Sequence, residues 1–313
     1  MGLQPFFSSI FYTLVFPGLL FTALVGLLLT WVDRKVAAVV QSRVGPPWFQ
    51  PYADIGKLLA KKMIVPEGSD IISFMAAPLL ALAGATLSAV IILRAVLNPG
   101  AGFVGDLIVL IYLSILPSVA LIIGGGASRS PFGAIGAGRE MSMILSYELG
   151  FLLALFTVII KTRSVVLGDI VAYQAAHGPI IFSLSGIIAF VVAMYGMQAK
   201  LGYLPFDIAE ADTELIGGPL AEYSGSGLAV FRLSRAMMFF YLPVLMVILF
   251  LGATTLTVVS IISFVLKLLV VLVLIIVVKT THARLRLDQA LRLFWGKLLV
   301  AALIGVGLAL LGW

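Results

Sequence analysis

The residues best suited to chemistry are carboxylates and one lysine set in or beside apolar sequence. Glu148 ends the run Arg139-Glu140-Met141-Ser142-Met143-Ile144-Leu145-Ser146-Tyr147-Glu148, inside a stretch of otherwise apolar chain. A carboxylate placed within a membrane span costs roughly a few kcal/mol, so Glu148 must meet water, a polar interior or an opposite charge. A desolvated carboxyl group of this kind suits a proton carrier. Glu140 lies eight residues earlier, on about the same side of a helix and about 12 Å away along its axis. A position near the helix N-terminus would also favour it there. Further on, Leu204-Pro205-Phe206-Asp207-Ile208-Ala209-Glu210-Ala211-Asp212-Thr213-Glu214-Leu215 is rich in acids. If a helix starts at Asp207, then Asp207, Glu210 and Glu214 share one face and Asp212 points elsewhere. Clustered carboxylates repel and spread their titrations, which suits proton handling. A capping box of Asp207 with Glu210 accounts for two of these acids. It leaves out Glu214, and also Glu222, which follows the breaker Gly217-Gly218-Pro219. Lys267 sits midway along an apolar run, too deep to snorkel, and must pair with a carboxylate or line water. Glu140, Glu148, Asp207, Glu210, Glu214, Glu222 and Lys267 are therefore the candidates for a proton or ion relay.

Other chemistries are excluded. The chain has no Cys and two His, so it offers no disulfide, thiolate or Fe–S ligands and no His-rich metal cage. Walker A, dinucleotide-binding and zincin motifs are absent, as are internal repeats. We expect no catalytic residue, no metal and no cofactor held by this chain itself.

The elements that must position these residues are membrane helices. Of the 313 residues 62% are hydrophobic and 11% charged, against about 45–50% and about 25% in soluble domains. A soluble fold is ruled out. Long unbroken apolar runs exclude a β-barrel and predict about eight spans in a single all-α integral domain over 1–313. They lie near 8–32, 71–93, 106–126, 141–160, 180–199, 236–252, 256–278 and 296–313. No Lys or Arg precedes the first span, and its apolar run is too long for a signal-peptide core. Gly124-Gly125-Gly126 marks a span terminus.

Charge orients the bundle. Segments 33–70, 127–139, 200–235 and 279–297 hold 16 of the 20 Lys+Arg. The alternate segments hold Arg94, Lys161 and Arg163. By the positive-inside rule the rich loops face the cytoplasm and both termini face out, in a cell inner (plasma) membrane. Eleven of the 14 acids fall in or at the edge of the same loops. Such a face fits docking to a soluble partner as well as it fits plain solvation. Four prolines within 46–66 shape the first of these loops. After Pro51, Tyr52, Ile55, Leu58 and Leu59 fall on one helical face, with Asp54, Lys57 and Lys61 on the other, as in a short interfacial helix. Candidate docking residues are Arg34, Lys35, Arg43, Asp54 and Lys57 here, with Arg284, Arg286, Asp288 and Arg292 in the basic strip after the seventh span. Ordinary membrane-surface anchoring explains both segments equally.

Taken in order, these segments resemble the H subunit (subunit 1) family of respiratory complex I and its relatives in energy-converting membrane hydrogenases. The resemblance spans nearly the whole chain. It rests on Asp33-Arg34-Lys35 with Arg43-Val44-Gly45-Pro46, Arg139-Glu140 with Ser146-Tyr147-Glu148-Leu149, and Pro205-Phe206-Asp207 with Glu210 and Glu214-Leu215. It continues with Glu222-Tyr223-Ser224-Gly225, and Lys267, Lys279, Thr281, Arg284, Arg286, Asp288-Gln289, Arg292-Leu293 and Trp295. The resemblance implies an eight-helix protein joining a soluble redox arm to an ion-pumping membrane arm, whose carboxylates begin a charge relay. It implies Fe–S clusters, and a NiFe centre in some members, in partner chains. Those partners would be soluble hydrogenase-like large and small subunits, an Fe–S subunit and other membrane subunits including antiporter-like ones. It implies lipid contact and no nucleic acid. Quinone-reducing members show Ala-Glu-x-x-Arg before Pro-Phe-Asp, where this chain has Ala199-Lys200-Leu201-Gly202-Tyr203. Asp33 stands in place of the usual Glu. Gly45-Pro46-Pro47-Trp48-Phe49-Gln50-Pro51-Tyr52 is more similar to the membrane-bound [NiFe]-hydrogenase branch and its sulfur-reducing offshoots. The expectation is a membrane subunit of a hydrogenase-related oxidoreductase that couples electron transfer to proton or sodium movement; the alternative is a quinone-site subunit. A free-standing transporter would show inverted repeats and broken helices around a midplane site, and neither is evident. A passive anchor leaves Glu148 and Lys267 unexplained.

Overall fold

Each apolar run winds into a helix because, without water, only intrasegment hydrogen bonding satisfies the backbone. The computed structural model describes residues 10–252 and 258–313; the ends of the expected spans at 8–9 and 256–257 lie outside them. In chain order the helices are α1 (Leu19–Val40), α2 (Gln50–Leu59), α3 (Ile71–Leu97), α4 (Asp106–Ala127), α5 (Pro131–Thr162), α6 (Leu167–His177), α7 (Leu184–Lys200), α8 (Asp212–Leu215), α9 (Gly225–Leu251), α10 (Val258–Thr281) and α11 (Leu287–Leu310). Among the described residues seven apolar segments are long enough to cross a membrane: Ile10–Val40, which contains α1, and α3, α4, α5, α9, α10 and α11. The expected span at 180–199 is α7, an apolar helix of 17 residues, at the short end of the spanning range. Among the described residues no strand occurs. The protein is an all-helical polytopic membrane protein.

Several boundaries move. α5 starts at Pro131, a residue preorganised for the first helical turn, and not at 141. Glu140 is thus more than two turns inside the helix, and a helix N-terminus does not explain it. α1 runs on to Val40, so Asp33, Arg34 and Lys35 are helical and Asp33 is buried. Amphipathic α2 forms as expected, with Pro51 in its first turn and the Tyr52 hydroxyl donating to the Leu24 carbonyl at 2.8 Å.

The chain packs as two units. One comprises residues 1–90, 112–142 and 207–241. Its core joins Phe74, Ala77, Ala81, Ala120, Tyr223 and Phe231. Pro78 lies inside α3 and has no N–H, so the Phe74 carbonyl lacks its usual helical donor. The Tyr223 hydroxyl takes that place, donating to the Phe74 carbonyl at 2.8 Å while its ring stacks on Phe74 at 4.1 Å. Gly124 admits that hydroxyl: a Cβ there would lie 2.4 Å from it.

The other unit comprises residues 91–111, 143–206 and 242–313. Here α7 packs on the second half of α11, with Gly305 of α11 close to Ile188 and the Ser185 carbonyl of α7. The last turn of α9, Val247–Leu251, is π-wound and ends at Gly252 with φ +74°. The carbonyls freed by this break are capped from elsewhere. Buried Gln174 donates to the Ile248 and Leu249 carbonyls at 2.7 and 3.2 Å, and Lys267 Nζ donates to the Gly252 carbonyl at 2.7 Å.

Candidate functional site

The acid-rich segment is not a helix from Asp207. Residues 207–211 are irregular with a turn at 209–210, and only Asp212–Leu215 form one helical turn. Burial of Phe206, Ile208, Ala209 and Ala211 shapes this path, and Gly218 packs so close that a Cβ would sit 1.9 Å from the Ala209 carbonyl oxygen. Asp207, Glu210 and Glu214 therefore do not share a helical face, and the Asp207 capping box does not form.

Two of the carboxylates, Glu210 and Glu214, are matched with different arginines. Arg235, on α9, grips Glu210 with both guanidinium nitrogens at 2.6 and 2.5 Å, the bidentate geometry for which Arg is suited. Arg139, on α5, bonds Glu214 and reaches the Ile208 carbonyl at 3.4 Å. Glu140 accepts a hydrogen bond from Ser118 of α4 and lies in the combined field of Glu210, Arg235 and Asp207. Asp207 is partly buried and Glu222 is exposed. Glu210 and Glu214 are each paired with an arginine, while Glu140 still lies in the field of two like charges, Glu210 and Asp207.

Glu148 has a partner that its place in the sequence assigns to a loop. Lys200, the last residue of α7, is fully buried, and its Nζ lies 3.3 Å from Glu148 Oε2. The ammonium also sits 4.9 Å from the Phe151 ring centroid and 6.0 Å from that of Tyr147. This pair answers the need for an opposite charge. One signal was available in sequence: Lys200 stands where quinone-reducing relatives of the resembled family carry Glu. The other residue of that contrast, Tyr203 in place of Arg, stacks beneath Lys279 Nζ at 4.3 Å.

Among the described residues Lys267 pairs with no carboxylate. The break at Gly252 leaves a backbone carbonyl within reach, and Lys267 caps it.

Among the docking candidates, Arg34 and Asp54 bind each other at 3.0 Å, with Gln50 donating to the other Asp54 oxygen at 2.9 Å. Burial alone would push the Asp54 carboxyl up, but the hydrogen bonds from Arg34 and Gln50 hold it below its ordinary value. Lys35, Arg43 and Lys57 are exposed, as are Arg286, Asp288 and Arg292; Arg284 is half-buried. The Arg286 amide donates to Gln289 Oε1 at 3.1 Å, which fixes the start of α11. Among the described residues no group of three or more His, Asp or Glu is arranged to hold a metal ion.

Residues 13–310 match the NADH dehydrogenase family. The chain belongs to this family. It is 35% identical to the H subunit of the NADH-quinone oxidoreductase of Thermomicrobium roseum, covering 92% of each chain. It is 33% identical to NADH-quinone oxidoreductase subunit 8 of Thermus thermophilus, over 88% of this chain and 79% of that one. Among solved structures it superposes on a chain of the membrane-bound sulfane sulfur reductase, an archaeal respiratory membrane complex. That match has a TM-score of 0.86 and 26% identity, covering 96% of this chain and 99% of the other. As a family member the protein is a membrane subunit of a complex I-like oxidoreductase, and its relatives are parts of multi-subunit assemblies.

Proposed function

We propose that this chain anchors a soluble, metal-bearing redox module on the cytoplasmic face and couples its electron transfer to cation movement through buried carboxylate–cation pairs. The observation that carries this reading is the Lys200–Glu148 pair. An ion pair so removed from water is weak evidence for stability, whereas ionisable residues within a membrane mark ion pathways and relays. Glu140, Asp207, Glu210, Glu214 and Glu222 extend the titratable set, with Arg235 and Arg139 as counter-charges. Lys267 contributes a further, half-buried charge. The moved ion is a proton or a sodium ion. The chain supplies no active site; Fe–S clusters, and a NiFe centre in a hydrogenase-type assembly, belong to partner subunits. Docking falls to Lys35, Arg43 and Lys57 in one unit, braced by Arg34 and Asp54, and to Arg284, Arg286, Asp288 and Arg292 in the other. The charge-rich loops are cytoplasmic and both termini lie outside. Support for a hydrogenase-related or sulfur-reducing assembly comes from the sulfane sulfur reductase neighbour and from the loop at 45–52.

The test is Glu148→Gln in the assembled complex, with ions moved per electron as the readout. Loss of coupling with electron transfer retained is expected. Unchanged coupling in an intact complex overturns the relay role. Co-purification in mild detergent, with nickel and iron measured, identifies the redox module. A second reading, a quinone-site subunit, draws on the names of the NADH-quinone oxidoreductase relatives. Bound quinone in the purified complex, or inhibition by quinone-site ligands, would favour it.

A further inference from the structure

The segments opposite the cation-rich loops contain three cations, Arg94, Lys161 and Arg163, and two of them line one cavity. Lys161, Arg163, Ile160, Tyr173, Leu310 and Gly312 enclose about 400 Å³. Lys161 is in the last turn of α5, and Leu310 is the last residue of α11. Both helices are long enough to cross the membrane, so the cavity opens at the depth where a span meets headgroups. Positive charge on this side runs against the usual bias, which makes two cations in one cavity a feature to explain. Arg163 follows α5 directly with φ +54°, a position where Gly is the easy choice, yet the chain places a guanidinium there. None of the lining residues is acidic. The neighbouring acid Asp169 is engaged by the Ser164 hydroxyl at 2.7 Å. Tyr173 is held in place by stacking on His177 at 4.4 Å.

We propose that this cavity seats the phosphate of an anionic phospholipid headgroup. Arg163 offers a planar fork and Lys161 a point charge, the two standard ways of holding phosphate. Ile160 and Leu310 supply an apolar wall where acyl chains begin. The site is independent of the coupling reading, because none of its residues is among the proposed relay or docking groups.

The test uses the intact complex in phosphatidylcholine nanodiscs carrying a minor share of phosphatidylglycerol, with bound lipid counted by native mass spectrometry. Wild type is expected to retain phosphatidylglycerol. The double variant Lys161→Gln/Arg163→Gln should bind it about 30-fold more weakly, while Arg94→Gln retains it. Unchanged retention in the double variant, or equal loss in Arg94→Gln, overturns the proposal. Inorganic phosphate displacing the lipid-dependent stabilisation and replacing it at full strength would assign a free-anion site and overturn the lipid assignment. Should the double variant fail to assemble, Leu310→Glu decides: it places a carboxylate at the cavity wall, so loss of the lipid supports the site and retention refutes it.

Discussion

Lys200 Nζ lies 3.3 Å from Glu148 Oε2, with the lysine side chain fully buried and the glutamate 14% exposed. Two charges removed from water depend on each other: desolvation is tolerated only while the partner is present. Lys200→Met alone should destabilise the complex by about 3–5 kcal/mol, and Glu148→Met alone by a similar amount. The double variant should recover much of that loss. A double-mutant cycle on thermal unfolding of the purified complex checks this; additive losses would mean that the two groups do not interact.

Arg235 and Arg139 should respond differently to replacement by Lys. Arg235 holds Glu210 through two nitrogens, and Arg235→Lys loses one of these charge-assisted bonds, about 1.5–3 kcal/mol. The Glu214 side chain is 53% exposed, so Arg139→Lys should cost about 0–1 kcal/mol. Melting temperatures of the two variants should rank in that order.

The Tyr223 hydroxyl substitutes for the N–H that Pro78 lacks. Burial pushes the Tyr223 phenol up, so it stays protonated and able to donate at any working pH. Tyr223→Phe should cost about 1–3 kcal/mol by leaving the Phe74 carbonyl unpaired. In a Pro78→Ala background a backbone N–H returns to that carbonyl, and the same substitution should then cost much less. Equal costs in both backgrounds would disprove the substitution argument.

Lys267 has a structural task beside any electrostatic one, since it caps the Gly252 carbonyl. Lys267→Gln keeps a donor, whereas Lys267→Leu does not. The Leu variant should be less stable by about 1–3 kcal/mol and the Gln variant close to wild type, while both lose the half-buried charge and with it ion movement. Indistinguishable stabilities would remove the capping role.

Asp54 links α1 to α2 through Arg34. Its carboxyl is held below the ordinary value, so its contribution is complete above the unfolded-state value and fades as pH falls through the folded one. Protease nicking between residues 41 and 60 should therefore rise only on strong acidification. In Arg34→Gln the onset should move to higher pH, toward the ordinary aspartate value. An onset that stays put would show that the pair does not secure the loop.

Much of the protein is written locally. Apolar runs long enough to cross a bilayer announce their helices because the missing water forces each backbone group to bond within its segment. α2 was legible from Pro51 and the spacing of Tyr52, Ile55, Leu58 and Leu59. The absence of Cys excluded thiolate-bound centres, and short motifs in order were enough to suggest the family. Even the need of Glu148 for water, a polar interior or an opposite charge followed from its position alone.

What the tertiary structure decided is which charge meets which. Glu148 and Lys200 are 52 residues apart, Glu210 and Arg235 are 25 apart, and Arg139 and Glu214 are 75 apart. The acid-rich segment reads as a helix because Asp207, Glu210 and Glu214 fit helical spacing. Packing of Phe206, Ile208 and Ala211 into the interior instead turned the chain and sent Glu210 and Glu214 to different arginines. Lys267 likewise found a carbonyl because a π-wound helix end stops at Gly252. Coulomb energy and desolvation vary over a few ångströms, and distances on that scale are set by packing between helices rather than by spacing along them.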